Sequence, residues 1–283
     1  MNLQAQEQIK AFLIEDIGSG DLSADLIFEQ DQQSSGVFIA KDDGVIAGLD
    51  IAQVVYDALG GQATFLPAVS DGDEIKTGTI IGRATGSIRT LLTGERVILN
   101  LMQRMSGIAT FTRQAITTLD DPTIKICDTR KTAPGLRYFD KAAVRIGGGV
   151  NHRVGLYDGV MLKDNHIAYA GSIAQAVEKV RQQIGQMVKI EVEIETKAQL
   201  LEAIAANADI IMFDNRTPEQ VAEWTKLVPD HILTEISGGI SLANLATYAH
   251  TGADYLSLGA LTHSVTAFDI SFNSNEGEKS NHE

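Results

Sequence analysis

Six short apolar runs recur from residue 123 onward, and nearly all end in polar or charged residues. They are IKICDT (124–129), GVMLKDN (159–165), KIEVEIE (189–195), DIIMFDN (209–215), ILTEISGG (232–239) and YLSLGAL (255–261). The later runs alternate with helix-like stretches that open on good N-cap residues: Ser172, Thr196, Thr217 and Ser241. A spacing of roughly 20–30 residues per strand–helix unit predicts parallel strands, because only a crossover of that length returns the chain in the same direction. An α/β barrel is the natural closure; a doubly wound open sheet is the other arrangement this pattern allows. In a barrel the C-terminal strand ends form the mouth, so polar residues on so many successive strands predict a functional mouth rather than ordinary loop solvation.

The first ~110 residues have a different texture. Gln4–Leu13 reads as a short amphipathic helix, EDIGSGD (15–21) as a polar loop, and SGVFIAK (35–41), GVIAG (44–48), ATFLPAV (63–69) and TIIGRATG (79–86) as short strands. The glycine turns of 71–86 suit a small β-sandwich, yet no lysine stands at a hairpin tip to carry a prosthetic group. A helix is expected from Thr93 to about Leu119, with Gly107 marking a bend. The expected division is an N-terminal β-sandwich-like and helical domain over 1–110, an α/β catalytic barrel over 111–272, and a polar, disordered tail over 273–283.

Composition narrows the function classes. No apolar run reaches the ~20 residues of a membrane span, and the N-terminus lacks the basic and apolar regions of an export signal. A single cysteine, Cys127, can form neither an internal disulfide nor a thiolate metal site, so a reducing, cytoplasmic location is expected. The net charge of −14 argues against a general nucleic-acid binder. Residues 125–163 nevertheless carry eight basic and only three acidic side chains. This island suits a small polyanionic ligand, with a solvated basic face as the alternative.

Two kinds of group collect at the strand ends. Arg130, Lys131, Arg153 and Lys163, with His152 as a hydrogen-bond donor, would form a cationic pocket, and the planar arginine fork suits carboxylates. Glu191, Glu193 and Glu195 share one strand face by period-two alternation, and Glu193 and Asp214 would face the cations as acceptors. Ser237-Gly238-Gly239, followed by the Ser241-capped helix, resembles a phosphate cradle, and Gly259 ends the next strand. Gly147-Gly148-Gly149 is either a second close-approach loop or a hinge. His152 and His166 lack local partners at metal-ligand spacing, whereas Mg²⁺ carried on a polyphosphate is compatible with Glu193 and Asp214.

The block TRKTAPGLRYFDKAAVRIGGGVNHRVGLYDGVMLKDNH (129–166) closely resembles the signature region of the quinolinate phosphoribosyltransferases, also called carboxylating nicotinate-nucleotide pyrophosphorylases. The resemblance continues through EDIGSGDLS (15–23), GERVILNLMQRMSGIAT (94–110), EVE (191–193), FDN (213–215), EISGGIS (235–241) and LGALTHS (258–264). It implies an incomplete α/β barrel beside an N-terminal β-sandwich. It also implies a homodimer, or a multiple of dimers, in which the sandwich of one subunit caps the neighbour's barrel. The implied activity is that of a pentosyltransferase in de novo NAD synthesis, turning quinolinate and phosphoribosyl pyrophosphate into nicotinate mononucleotide, CO₂ and pyrophosphate.

Residue by residue, the resemblance implies that Arg130, His152, Arg153 and Lys163, with Arg96 from the partner subunit, hold the quinolinate carboxylates. Lys131 and Lys163 would meet the pyrophosphate, and Glu193 and Asp214 the ribose hydroxyls and Mg²⁺, these four forming the catalytic set. Ser237, Gly238, Gly239, Gly259 and His263 would take the 5′-phosphate, with Thr129, Leu258 and Ala260 completing the substrate-binding residues. The departures, Phe213 and Ala133, touch no charged role. The alternative is a related family linked to molybdenum transport, acting on a different heterocyclic acid; it differs at the lysine strand, and Lys163 in MLKDNH favours the quinolinate enzymes. A Schiff-base role for Lys163 and a non-catalytic binding barrel are the readings from other classes.

Overall fold

The computed structural model describes residues 1–274. The first half of the chain runs α1 (Leu3–Ile17), α2 (Leu22–Ile27), β1 (Gln33–Ala40), β2 (Gly44–Val45), α3 (Asp50–Ala58), β3 (Ala63–Pro67), β4 (Glu74–Ile75), β5 (Ile80–Ser87) and α4 (Ile88–Leu119). The second half begins β6 (Lys125–Cys127), α5 (Arg137–Ile146), β7 (Val160–Leu162), α6 (Asp164–Ala170), α7 (Ile173–Arg181), β8 (Ile190–Ile194) and α8 (Lys197–Ala205). It continues β9 (Ile210–Asp214), α9 (Pro218–Trp224), β10 (Leu233–Ser237), α10 (Leu242–Leu245), β11 (Tyr255–Ser257), α11 (Ala260–His263) and β12 (Ile270–Ser274). Among these residues no helix is long and apolar enough to cross a membrane.

Two compact units result. The first comprises Met1–Phe111, Ala133–Gly148 and the segment from Ser264; the second, Thr112–Thr132 and Gly149–His263. The first unit is built on an antiparallel sheet of order β12-β1-β5-β3, with β2 and β4 forming a separate pair. Phe38 organises its core, edge-on to Phe65 at 5.6 Å and 4.7 Å from Phe272. Phe272 reaches this position because β12 pairs along β1, from Gly36 opposite Ser274 to Ala40 opposite Ile270. The tail expected to be disordered from Asn273 therefore begins with two strand residues, their backbone satisfied by β1; positions 275–283 lie outside the described residues. On α5, Asp140 is fully buried and accepts a two-pronged bond from Arg104, at 2.7 and 2.9 Å.

Helix α4 is continuous over 32 residues, so Gly107 does not interrupt it. The backbone of Thr266 passes so close that a Cβ on Gly107 would lie 2.1 Å from its carbonyl oxygen. Glycine is present because chain crosses chain, a long-range cause invisible to local pattern. The triple-glycine run is a helix stop, with the Gly147 and Gly148 amides closing the last turn of α5 on Ala143 and Arg145.

The second unit holds a six-stranded parallel sheet of order β6-β11-β10-β9-β8-β7. Consecutive strands β7 to β11 lie side by side, and the first strand, β6, pairs with the last, β11. A doubly wound sheet reverses direction in the middle; this order is that of a barrel with one joint open, between β6 and β7. A single parallel bridge, Cys127 to Val150, partly covers that joint. The expected N-caps Ser172, Thr196 and Thr217 all accept the amide three residues on. Along β8, Ile190, Val192 and Ile194 are fully buried on one face, while Glu191 and Glu193 project from the other. Trp224 of α9 stacks edge-on to Phe213 of β9, fixing helix to sheet.

Gly107→Ala gains about 1 kcal/mol of helix propensity yet forces a steric overlap that costs about 1–3 kcal/mol or more. Urea unfolding should show a net loss of stability of about 2 kcal/mol; a gain would mean the Thr266 crossing yields without cost.

Candidate active site

The parallel register arranges the mouth in layers. Glu193 on β8 is level with Met212 on β9, which is level with Glu235 on β10; one step toward the strand ends, Asp214 pairs with Ser237. These side chains share one face, and with the segments after β6, β7 and β11 they surround a cavity of about 890 Å³. Its lining includes Thr129, Arg130, Lys131, His152, Arg153, Lys163, Glu193, Asp214, Ser237, Gly238, Gly239, Gly259, Ala260 and His263. Fourteen of the sixteen expected substrate-binding residues thus converge on one cavity.

The other two do not line it. Leu258 is buried, its amide donating to the Cys127 carbonyl at 2.9 Å, and so holds the loop before Gly259 from behind. Arg96 is exposed on α4 in the first unit. Glu195, expected to share the face of Glu193, lies past the end of β8 and is exposed; its amide donates to the Gln199 side chain.

Cations and carboxylates are stacked within the second unit. Lys163 Nζ lies 2.6 Å from Glu193 Oε2, beside the ligand cavity. Burial and the facing Arg130 hold the Arg153 guanidinium below its ordinary value, the signature of two like charges brought together; it remains a cation, as arginine does in proteins. Its Nη1 donates to the Gly159 carbonyl at 2.9 Å. Arg130 Nε is buried with no hydrogen-bond partner among the described residues.

Asp128 ties the two cationic segments together. It is fully buried at the end of β6 and accepts from the His152 amide at 2.9 Å and from the Asn151 side chain. The stretch that follows it carries Arg130 and Lys131, so one carboxylate fixes both halves of the pocket.

Beneath the cations lies a cluster that sequence spacing could not show. His152 Nδ1 accepts from the Arg153 amide at 2.8 Å, which leaves the ring proton on Nε2. Nε2 then lies 2.9 Å from Glu191 Oε2 and 3.6 Å from Glu235 Oε2. The expected donor into the mouth thus turns its Nε2 proton toward Glu191. Ligating atoms of His152, Glu191 and Glu235 all lie within 4.8 Å of one another, although the three residues are 39 or more positions apart in pairs from His152. Glu235 also receives the Ser257 hydroxyl. Burial, followed by the nearby Glu191, pushes the Glu235 carboxyl up to about 8, against the pull of His152 and Ser257. Glu235 was legible only through Ser237, since residues two apart on a strand share a face.

The glycine cradle is built by backbone rather than by a long helix. Helix α10 has four residues, so the helix dipole expected behind Ser241 is small. Gly238 has φ +89°, and a Cβ there would lie 2.4 Å from Asn215 Oδ1, so a side chain would close the turn against β9. His166, the other isolated histidine, accepts the Lys163 amide on its Nδ1 at 3.1 Å and caps α6.

The fold and the cavity define an incomplete α/β barrel that gathers cationic and carboxylate side chains at its strand ends. Residues 21–106 match the family model described as the N-terminal domain of quinolinate phosphoribosyl transferase, and residues 108–273 match its C-terminal domain. A probable carboxylating nicotinate-nucleotide pyrophosphorylase of Bacillus subtilis is 53% identical, over 95% of this chain and 93% of that protein. The carboxylating nicotinate-nucleotide pyrophosphorylase of Mycobacterium leprae is 41% identical, over 94% and 95%. The crystal structure of NadC from Streptococcus pyogenes superposes with a TM-score of 0.92 at 41% identity, covering 96% of each chain. The chain belongs to the quinolinate phosphoribosyltransferase family.

Asp128→Ala removes a buried acceptor from two donors and should cost about 2–4 kcal/mol in chemical unfolding. Stability within 0.5 kcal/mol of wild type, about the spread of neutral surface changes, would show that Asp128 does not hold the pocket together.

Proposed function

We propose that this protein transfers the phosphoribosyl group of phosphoribosyl pyrophosphate to quinolinate with loss of CO₂, giving nicotinate mononucleotide and pyrophosphate in de novo NAD synthesis. The observation that carries this reading is that Arg130, Lys131, Arg153 and Lys163 all line one cavity, with Arg130 Nε buried and without a hydrogen-bond partner among the described residues. A buried guanidinium nitrogen without an acceptor is costly, and a ligand carboxylate supplies the acceptor it lacks. An acidic and glycine-rich wall formed by Glu193, Asp214 and residues 237–239 completes the cavity. One end therefore suits a dicarboxylate and the other a sugar phosphate.

Arg130, Arg153 and Lys163 hold the carboxylates, and Arg96 of a neighbouring subunit joins them in a homodimer or a multiple of dimers. Glu193 and Asp214 receive the ribose hydroxyls, Gly238, Gly239, Gly259 and His263 the 5′-phosphate, and Lys131 and Lys163 the pyrophosphate. The pyridine nitrogen attacks the anomeric carbon as pyrophosphate leaves, through a state with positive charge on the ribose. Glu193 and Asp214 lower its energy, while Lys131 and Lys163 neutralise the leaving group. Glu193 and Asp214 are hard oxygen donors on an open cavity, a donor set that fits Mg²⁺ arriving with the polyphosphate. Bound there, Mg²⁺ would supply further charge neutralisation at the pyrophosphate. Once ribosylated, the positively charged ring nitrogen stabilises the electron pair left on the adjacent C2 as its carboxylate departs, and a proton taken up at C2 completes the product, so no further cofactor is required. The single buried cysteine accords with a cytoplasmic location.

Purified protein with Mg²⁺ and carboxyl-labelled quinolinate should release labelled CO₂ only when phosphoribosyl pyrophosphate is added, in step with nicotinate mononucleotide. No release from folded protein would overturn the assignment. Arg130→Ala should raise the quinolinate KM by about 10–100-fold, or abolish turnover, with an unchanged melting temperature.

A further inference from the structure

Glu235 has no part in the steps above, yet it lines the cavity and is only 3% exposed. Its position is specific. It stands 3.6 Å from His152, next in the chain to Arg153, and so borders the cationic end of the cavity. It is level with Glu193 across Met212, and one layer deeper than Asp214 and Ser237. Decarboxylation leaves an electron pair on ring carbon C2 that must be protonated before the product is complete, and the carboxylate end is where that carbon lies. Arg130 and Arg153 are guanidinium groups and poor proton sources, and Lys163 Nζ lies against Glu193 at 2.6 Å rather than against Glu235.

Resting on the quinolinate reading above, we propose that Glu235 is the proton donor that quenches the C2 carbanion formed when CO₂ leaves. The bond between C2 and the carboxylate carbon breaks with its electron pair remaining on C2. That pair forms a new C–H bond with the Glu235 proton, and the former O–H pair stays on the Glu235 carboxylate. The Ser257 hydroxyl, already bonded to Glu235, stabilises the carboxylate produced. A proton from solvent restores the acid after the product departs, so one proton is consumed per turnover.

The surroundings keep the proton on this acid at neutral pH. Glu191 on β8 and Asp128 at the end of β6 disfavour a second negative charge, while His152 and the Ser257 hydroxyl on β11 pull the other way. Burial is the largest influence, and the balance places the carboxyl at about 8. Glu191 contributes a second buried oxygen, Oε1, with no hydrogen-bond partner among the described residues, as expected of two carboxyls crowded in one apolar floor.

The test is single-turnover formation of nicotinate mononucleotide by wild type and Glu235→Gln across pH. Wild-type rates should fall as pH rises through about 8, because the donor is then lost. Glu235→Gln keeps the shape and the Ser257 contact but carries no transferable proton. Its rate should drop by about 10²–10⁴-fold, and the fall above neutral pH should vanish, with the quinolinate KM and the calorimetric affinity for quinolinate alone nearly unchanged. Glu235→Asp should recover part of the rate and restore the pH limb. A Gln variant with wild-type rate, or loss confined to KM and binding, would overturn the proposal. If neither variant folds, a flat wild-type profile to pH about 9.5 overturns it and a falling limb upholds it. Should wild type itself fail to make product, the parent reading falls instead, and the two failures are distinct.

Discussion

The cavity depends on forcing like charges together. Two guanidinium groups and two ammonium groups line it, and burial with the facing Arg130 already weakens Arg153's hold on its proton. Such a cluster opposes folding unless carboxylates sit close beneath it. Asp128 and Glu191 are those carboxylates, with the protonated Glu235 beside them, all 3% exposed or less. They come from the end of β6, from β8 and from β10, alternate strands of the barrel, and both Asp128 and Glu191 act on Glu235 across its interior. The second unit is therefore a two-storey electrostatic structure, with anions packed in the floor and cations at the mouth. The ligand's carboxylates would complete the upper storey.

The barrel supplies the geometry this requires. Period-two alternation sends the isoleucines and Val192 of β8 to one side and its glutamates to the other, so one strand serves both core and site. Parallel register then sets height: Glu193, Met212 and Glu235 lie at one level, Asp214 and Ser237 at the next. A shift of one residue in β10 would bury Ile236 in the cavity and expel Glu235, so packing of the strand and placement of the acid are the same event.

Much of this was legible from sequence, and the residues show why. The strand runs, the N-caps Ser172, Thr196 and Thr217, and the polar strand ends are local signals, carried within a few residues. The cationic pocket was legible because its members cluster in 129–163. What failed to show depends on distant chain segments. Gly107 looked like a bend because the Thr266 backbone that requires it is far along the sequence. Asn273 and Ser274 looked like tail because their β1 partners lie at Val37 and Gly36. The His152–Glu191–Glu235 cluster joins three segments with no common motif, and only the fold brings them within 4.8 Å.

The floor and the mouth also reconcile two demands on the carboxylate that is lost. It must be bound as an anion to be oriented, yet it leaves as neutral CO₂, so cations that grip it too firmly would resist the step they prepare. Arginine meets the first demand through directional bonds. Buried carboxylates meet the second: by balancing the cations from below, they limit the net positive potential that holds the departing group. With Glu235 carrying its proton, that residue adds no negative charge beneath the cations. Were it ionised, the added negative charge would weaken the binding of a dicarboxylate just where the departing group must be held. The proton proposed to complete the reaction from Glu235 would thus also spare the cavity a negative charge where the departing carboxylate is held.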